Sequence, residues 1–251
     1  MVLGISNKGW EKGYKMKIND YKYFLFDIEG TVAPISFVHT VLFPYSKKNM
    51  KPFLEKNPLS TELYQKLFVE YSQDLSSNSY SQKLDQSTTS LLDYLFFLVD
   101  VDRKSPVLKE LQGEIWKNGY ESGEIKSNIY SDTLDFFKAI KNNNHEICIY
   151  SSGSILAQKL IFKYSNLGDL SMYISKYFDT GVGSKREEKS YLNILNHLNA
   201  KSNEVVFFTD IYEEALASSG VDITPFILMR EGNTPITQKN YTKIISFKEW
   251  E

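Results

Sequence analysis

The stretch Tyr21–Thr31, YKYFLFDIEGT, decides how the rest of the chain is read. Six residues dominated by aromatic and aliphatic side chains stop abruptly at an acid, and a glycine follows shortly after. A short apolar run bounded by turn chemistry predicts a buried β-strand over 21–26, with Asp27 and Glu29 delivered to the loop at its carboxyl end. The pattern recurs downstream. HEICIY (145–150) runs into Ser151-Ser152-Gly153-Ser154, KYFDT (176–180) leads to Gly183-Ser184-Lys185, and EVVFFTD (204–210) ends at Asp210 with Glu213 and Glu214 close behind. TPFILM (224–229) is the last strand expected. Between them lie amphipathic helical segments at 131–144, 155–166, 190–200 and 213–220. Strands alternating with helices predict an α/β fold, a Rossmann-like, doubly wound parallel sheet.

The first predicted strand is separated from the others by a long stretch of different character. STELYQKLFVEYSQDL (60–75) has helical apolar spacing with Ser60 or Thr61 as N-cap, and 91–120 reads as two helices divided near Lys104–Pro106. No strand candidate falls in this region. The expectation is a discontinuous α/β core domain, 21–46 and 126–251, interrupted by an all-helical cap at 47–125. Residues 1–20 read as an N-terminal extension.

Composition narrows the partners. With 29 basic against 31 acidic residues in 251, the chain lacks the broad basic surface of a nucleic-acid binder. No apolar run is long enough to span a membrane, and the N-terminal segment is too polar for a signal peptide. A monomeric, cytoplasmic protein is expected. The single cysteine, Cys148, excludes an internal disulfide and a cysteine-rich zinc site, and its place inside a strand marks it as core. His39, His145 and His197 are too scattered for a metal-ligand pattern. No G-x-G-x-x-G follows the first strand, which argues against a dinucleotide-dependent dehydrogenase.

In open parallel sheets ligands bind outside the carboxyl ends of the strands, where this sequence repeatedly places acids and hydroxyls. Each alone is weak: a carboxylate in such a loop is often a helix cap, and SSGS is often a turn. Their joint order fits phosphoryl transfer. An aspartate can attack phosphorus, a hard cation held by oxygen ligands can offset the meeting of two anions, and a lysine and hydroxyls can bind phosphate oxygens. An acid two residues beyond the nucleophile is placed to exchange a proton with the leaving oxygen.

With those residues in view, the chain resembles the haloacid dehalogenase-like phosphatases, and within them the enolase-phosphatase (acireductone synthase) family. The resemblance rests on FDIEGT with its continuation at Pro34–Val38 and Val41–Tyr45, on Leu111–Ile125, Ile149–Phe162 and Phe178–Lys185, and on R-x-G-N at Arg230–Asn233. It covers about residues 20–248. Val32 and Glu231 depart from the usual family residues. By this resemblance Asp27 is the nucleophile and a Mg²⁺ ligand, and Glu29 is the second acid, ligating through its carbonyl and transferring protons through its carboxylate. Asp210 is the third ligand, Ser151 and Ser152 bind substrate, and Lys185, with Lys189 as second choice, neutralises the phosphate. Glu213 and Glu214 are candidates to orient the metal's waters. The implied substrate is a small phosphorylated diketone, 2,3-diketo-5-methylthiopentyl-1-phosphate, enolised and then dephosphorylated in methionine salvage, with the Trp116–Tyr120 region of the cap over its methylthio tail. The enolisation base is open between Glu29 and a cap residue. The alternatives are a related phosphatase that does not enolise and a non-catalytic relative.

Overall fold

The computed structural model describes residues 17–250. Most of the 1–20 extension therefore lies outside the described residues, but its last part does not hang free. Ile18 begins a short 3₁₀ turn, Ile18–Asp20, and is buried in the core.

Six strands form one parallel sheet: β1 (Tyr23–Phe26), β2 (Glu146–Tyr150), β3 (Ile174–Phe178), β4 (Val205–Thr209), β5 (Thr224–Leu228) and β6 (Thr242–Ile244). Their order, β3-β2-β1-β4-β5-β6, reverses direction at β1, so that β1 lies between β2 and β4. That reversal opens a crevice at the carboxyl ends of β1 and β4, where Asp27 and Asp210 stand. The strand β6 escaped the sequence reading. Its three residues, TKI, are too short and too polar to stand out, and they pair only at the sheet edge.

The α/β half is completed by α5 (Ser131–Asn142), α6 (Ile155–Lys163), α7 (Glu188–Leu198) and α8 (Tyr212–Ser219). Alternation in the strands decides which face each helix covers. Phe24, Phe26, Ile147, Ile149, Val206 and Phe208 cluster with side chains of α5 and α6, while Leu25, Cys148, Tyr150, Val205 and Phe207 cluster with those of α7 and α8. Phe26 and Phe208 stack at 4.8 Å across neighbouring strands. Burial on both faces is why each strand reads as a nearly continuous apolar run.

Between β1 and α5 stand α1 (Phe43–Lys56), α2 (Thr61–Ser76), α3 (Thr88–Asp100) and α4 (Pro106–Glu121). They enclose an apolar cluster of their own around Met50, Leu67, Tyr94, Leu95 and Ile115. Caps set their starts: Ser60, Ser87 and Ser105 each accept a hydrogen bond from the amide three residues on. The boundary expected at 46/47 falls inside α1. That helix is entered through a π-helical turn, Val38–Leu42, with no interruption at residue 46. No helix among the described residues is long and apolar enough to cross a membrane.

Candidate active site

The loop after β1 is shaped by its own backbone. Asp27 N donates to Phe208 O of β4, and the Ile28 carbonyl then accepts the amides of Thr31, Val32 and Ala33. Gly30 sits at φ +71°, and a Cβ there would collide with the Asp210 carboxylate. Glycine is required twice over, by the left-handed backbone and by the close approach of Asp210.

Asp27, Lys185, Asp210 and Glu214 are all buried. Lys185 Nζ lies 2.5 Å from Asp27 Oδ1 and 2.8 Å from Glu214 Oε2. Asp27 Oδ1 nevertheless lacks a donor in hydrogen-bond geometry. Glu214 is held by the Thr209 hydroxyl, which donates to its Oε2 at 2.7 Å. Lys185 is held by its main chain, since its carbonyl accepts from Tyr191 Oη at 2.7 Å. Burial pushes the Asp27 carboxyl well above its ordinary range. Lys185 opposes the shift, while Glu214, Glu29 and Asp210 add to it. Burial likewise carries Asp210 up to about 7, against the pull of Lys185. Lys185 is raised despite burial, because Asp27 and Glu214 surround it. One buried ammonium thus shares the cavity with the acids Asp27, Glu29, Asp210 and Glu214.

Around this centre the walls divide by chemistry. The inner part is lined by Asp27, Glu29, Asp210, Lys185, Glu214 and His39. The adjoining part carries Leu42, Trp116, Ala157 and Ile161 beside Ser151, Ser152 and Lys109. Glu29, Val38, Phe43, Asp102, Lys104 and Ser152 belong to the walls of both. The site therefore lies between sheet and cap, polar at the sheet and apolar under α4. The Trp116 indole is oriented by donating to Leu42 O at 2.8 Å.

Asp27, Glu29, Ser152, Lys185 and Asp210 come together as the sequence suggested, and Ser151 lines the adjoining part, its Oγ accepting from Gly153 N at 3.1 Å. Two expectations are corrected, and of the two lysines the first choice is the one inside. Lys189 is exposed on α7 and absent from the cavity walls, whereas Lys185 is buried against Asp27. Glu213 is exposed on the outer side of α8, because successive helical residues cannot share a face, and only Glu214 enters the site. Tyr120 turns into the core, its Oη 2.8 Å from Ser127 Oγ and its ring stacked on Tyr164, so Trp116 alone of that pair faces the cavity. Lys109 was not singled out in the sequence, and His39 was set aside there as too isolated for a metal-ligand pattern. Lys109 of α4 donates to Ser152 O at 3.0 Å, joining cap to core, and nothing but its place on an exposed-looking helix could be read beforehand. His39 reaches the wall through the π-turn, which shifts its direction relative to an α-helix.

Comparison with known proteins gives this arrangement its family. Residues 21–221 match the model of the haloacid dehalogenase-like hydrolases. Enolase-phosphatase E1 of Leptospira borgpetersenii is 48% identical over 231 residues, covering 92% of this chain and 99% of that protein. The Drosophila willistoni protein of the same name is 42% identical, over 91% and 95%. This chain belongs to the enolase-phosphatase family. Among solved structures, the UTR4 protein of Saccharomyces cerevisiae superposes with a TM-score of 0.74 at 38% identity, over 91% of this chain and 99% of that one. CbbY from Rhodobacter sphaeroides, at 13% identity and a TM-score of 0.58, shares the fold. The α/β core with its helical cap is thus the arrangement of a haloacid dehalogenase-like enolase-phosphatase, a phosphoric monoester hydrolase.

Proposed function

We propose that the chain converts 2,3-diketo-5-methylthiopentyl-1-phosphate to acireductone and phosphate in methionine salvage, with Asp27 as nucleophile. The observation that carries this reading is the Lys185–Asp27 pair at the β1/β4 crevice, set beneath an apolar pocket under Trp116.

The residues suit a hard divalent cation, and Mg²⁺ is the proposed cofactor. Asp27 and Asp210 offer carboxylate oxygens, and the Glu29 carbonyl has no hydrogen-bond donor among the described residues. When bound, Mg²⁺ would neutralise phosphate charge and allow two anions to meet.

Glu29, in the wall shared by both parts, is the proposed base that takes the proton from C1 of the diketone, and the enolate oxygen so formed at C2 takes a proton from solvent to give the enol. Asp27 then attacks phosphorus. The phosphorus–oxygen bond to the enol breaks, and Glu29 returns its proton to the leaving oxygen. A water hydrolyses the aspartyl phosphate, giving its own proton to the Glu29 carboxylate, which releases it to solvent and is again a base. Lys185 balances the phosphoryl oxygens, Ser151 and Ser152 bind them, and the apolar wall with Trp116 takes the methylthio tail and excludes water.

The test is anaerobic product analysis with the diketone phosphate. Wild-type protein with Mg²⁺ should release phosphate together with a new near-ultraviolet enediol absorbance. Chelation should abolish both, and Asp27→Asn should lower turnover by roughly a thousandfold or more. Phosphate release without the chromophore would leave a phosphatase that does not enolise, and an Asp27→Asn variant with a tenth of wild-type turnover would remove the nucleophile assignment.

A further inference from the structure

The R-x-G-N motif at Arg230–Asn233 follows β5, about two hundred residues from the nucleophile loop in sequence, yet it touches that loop twice. Asn233 Nδ2 donates to Gly30 O at 2.8 Å and to Leu228 O at 3.0 Å. Arg230 Nε donates to Thr31 O at 3.2 Å. The remaining loop carbonyls are served from elsewhere: Ile28 O by three amides of its own turn, Val32 O by Tyr130 N, and Ala33 O by Gly30 N. From Ile28 to Ala33, the Glu29 carbonyl is the one left without a donor among the described residues. Asn233 Oδ1 and Asp210 Oδ2 also lie together against the face of Gly30 on which a Cβ would project.

The guanidinium is itself fixed. Arg230 pairs with buried Asp132 through both terminal nitrogens, at 2.8 and 3.1 Å, donates to Ile245 O, and lies over the rings of Tyr130 and Phe247. Asp132 accepts in addition from Ser246 Oγ and Phe247 N. A rigid plate thus extends from the first turn of α5, through Arg230, to the catalytic loop.

We infer that Arg230 and Asn233 are positioning residues for catalysis: by occupying two successive carbonyls, they hold the Asp27–Ala33 loop in the conformation that leaves the Glu29 carbonyl without a donor. Neither residue lines the inner cavity, so neither acts on the substrate directly. Their effect is on geometry, and small displacements of reacting groups cost turnover more than binding. The inference rests on the assignment of Asp27 as nucleophile.

The experiment compares Asn233→Ala, Asn233→Asp, Arg230→Lys and Ser246→Ala with wild type, reading melting temperature, kcat, KM and amide hydrogen exchange across residues 28–33. Asn233→Asp preserves side-chain size while losing the donor, which keeps the test open should the alanine variant fold poorly. Ser246→Ala weakens the same plate without touching a loop carbonyl. Both Asn233 variants and Arg230→Lys should lower kcat at least tenfold with KM changed less than threefold, and should speed exchange of the Gly30, Thr31 and Val32 amides. Ser246→Ala should lower the melting temperature while keeping kcat and loop exchange near wild type. Unchanged loop exchange in the Asn233 variants, or an equal loss of kcat in Ser246→Ala, would overturn the inference. An Asp27→Asn control in the same assay separates the two layers. If it stays active, the nucleophile assignment is at fault. If it is inactive while the Asn233 variants keep full turnover, only the positioning role falls.

Discussion

Two single positions concentrate the constraints of the site. Gly30 must accept φ +71° and leave room for the Asp210 carboxylate. Gly30→Ala should therefore cost about 1–3 kcal/mol of stability, as left-handed strain does for a residue with a Cβ, and should displace Asp210 enough to lower turnover by more than tenfold. Denaturant unfolding beside steady-state kinetics checks both, and a variant with wild-type kcat would show that the loop relaxes freely. At Lys185 the expected asymmetry is with its neighbour. Lys185→Met removes the ammonium shared by Asp27 and Glu214 and should lower kcat by two orders of magnitude or more, while Lys189→Met, on an exposed position, should stay within about threefold of wild type. A larger loss at Lys189 would reverse the assignment. Asp27, Glu29 and Asp210 were legible because each follows an apolar strand. Lys185 was preferred to Lys189 on the FDT-x-x-G-x-K spacing, and it is the turn before α7 that buries Lys185, while Lys189 lies exposed in the first turn of the helix.

At the scale of elements, the meeting of α4 with the loops after β2 and β3 governs access to the site. Lys109 Nζ reaches Ser152 O at 3.0 Å and Thr180 Oγ1 at 3.4 Å, so one side chain ties the cap to two loops of the core. Burial lowers its affinity for a proton, an unfavourable setting that its carbonyl and hydroxyl acceptors compensate. Lys109→Met should raise KM by about tenfold, the size of one charged hydrogen bond, with a smaller effect on kcat. Substrate saturation curves decide it, and an unchanged KM would mean that the cap closes without this tie. Nothing in the sequence hints at the pairing. Lys109 lies in a helix whose periodicity identifies its apolar face but says nothing about which loop its polar flank will meet.

For the whole molecule, the Arg230–Asp132 pair joins α5, the end of β5 and the carboxyl-terminal segment. Burial alone would raise the Asp132 carboxyl, but hydrogen bonds from Arg230, Ser246 and Phe247 outweigh it and hold the group below its ordinary 3.8. Because the folded-state value is depressed, this contribution to stability is present above about pH 4 and is lost as the pH falls further. Asp132→Asn should lower the melting temperature at pH 7 and shrink the additional loss on acidification below pH 4. An acid limb as steep as that of wild type would place the responsible carboxylate elsewhere.

What the sequence by itself determined was the order of elements and the chemical character of their ends. Strands buried on both faces must be apolar throughout, so YKYFLF, HEICIY and EVVFFTD declare themselves, and the acids and serines that stop them mark the candidate site. The helical periodicity of 60–120, with no strand candidate, announced the insertion. What only the tertiary structure decided was which side chains meet across long separations. The order in which parallel strands pair, the turn before α7 that buries Lys185, the phase at which α8 turns Glu214 inward, and the reach of Asn233 to Gly30 all follow from packing between elements. Local propensity carries no information about partners two hundred residues away. The strand β6 belongs to the same class: three half-polar residues become a strand only because β5 offers them an open edge.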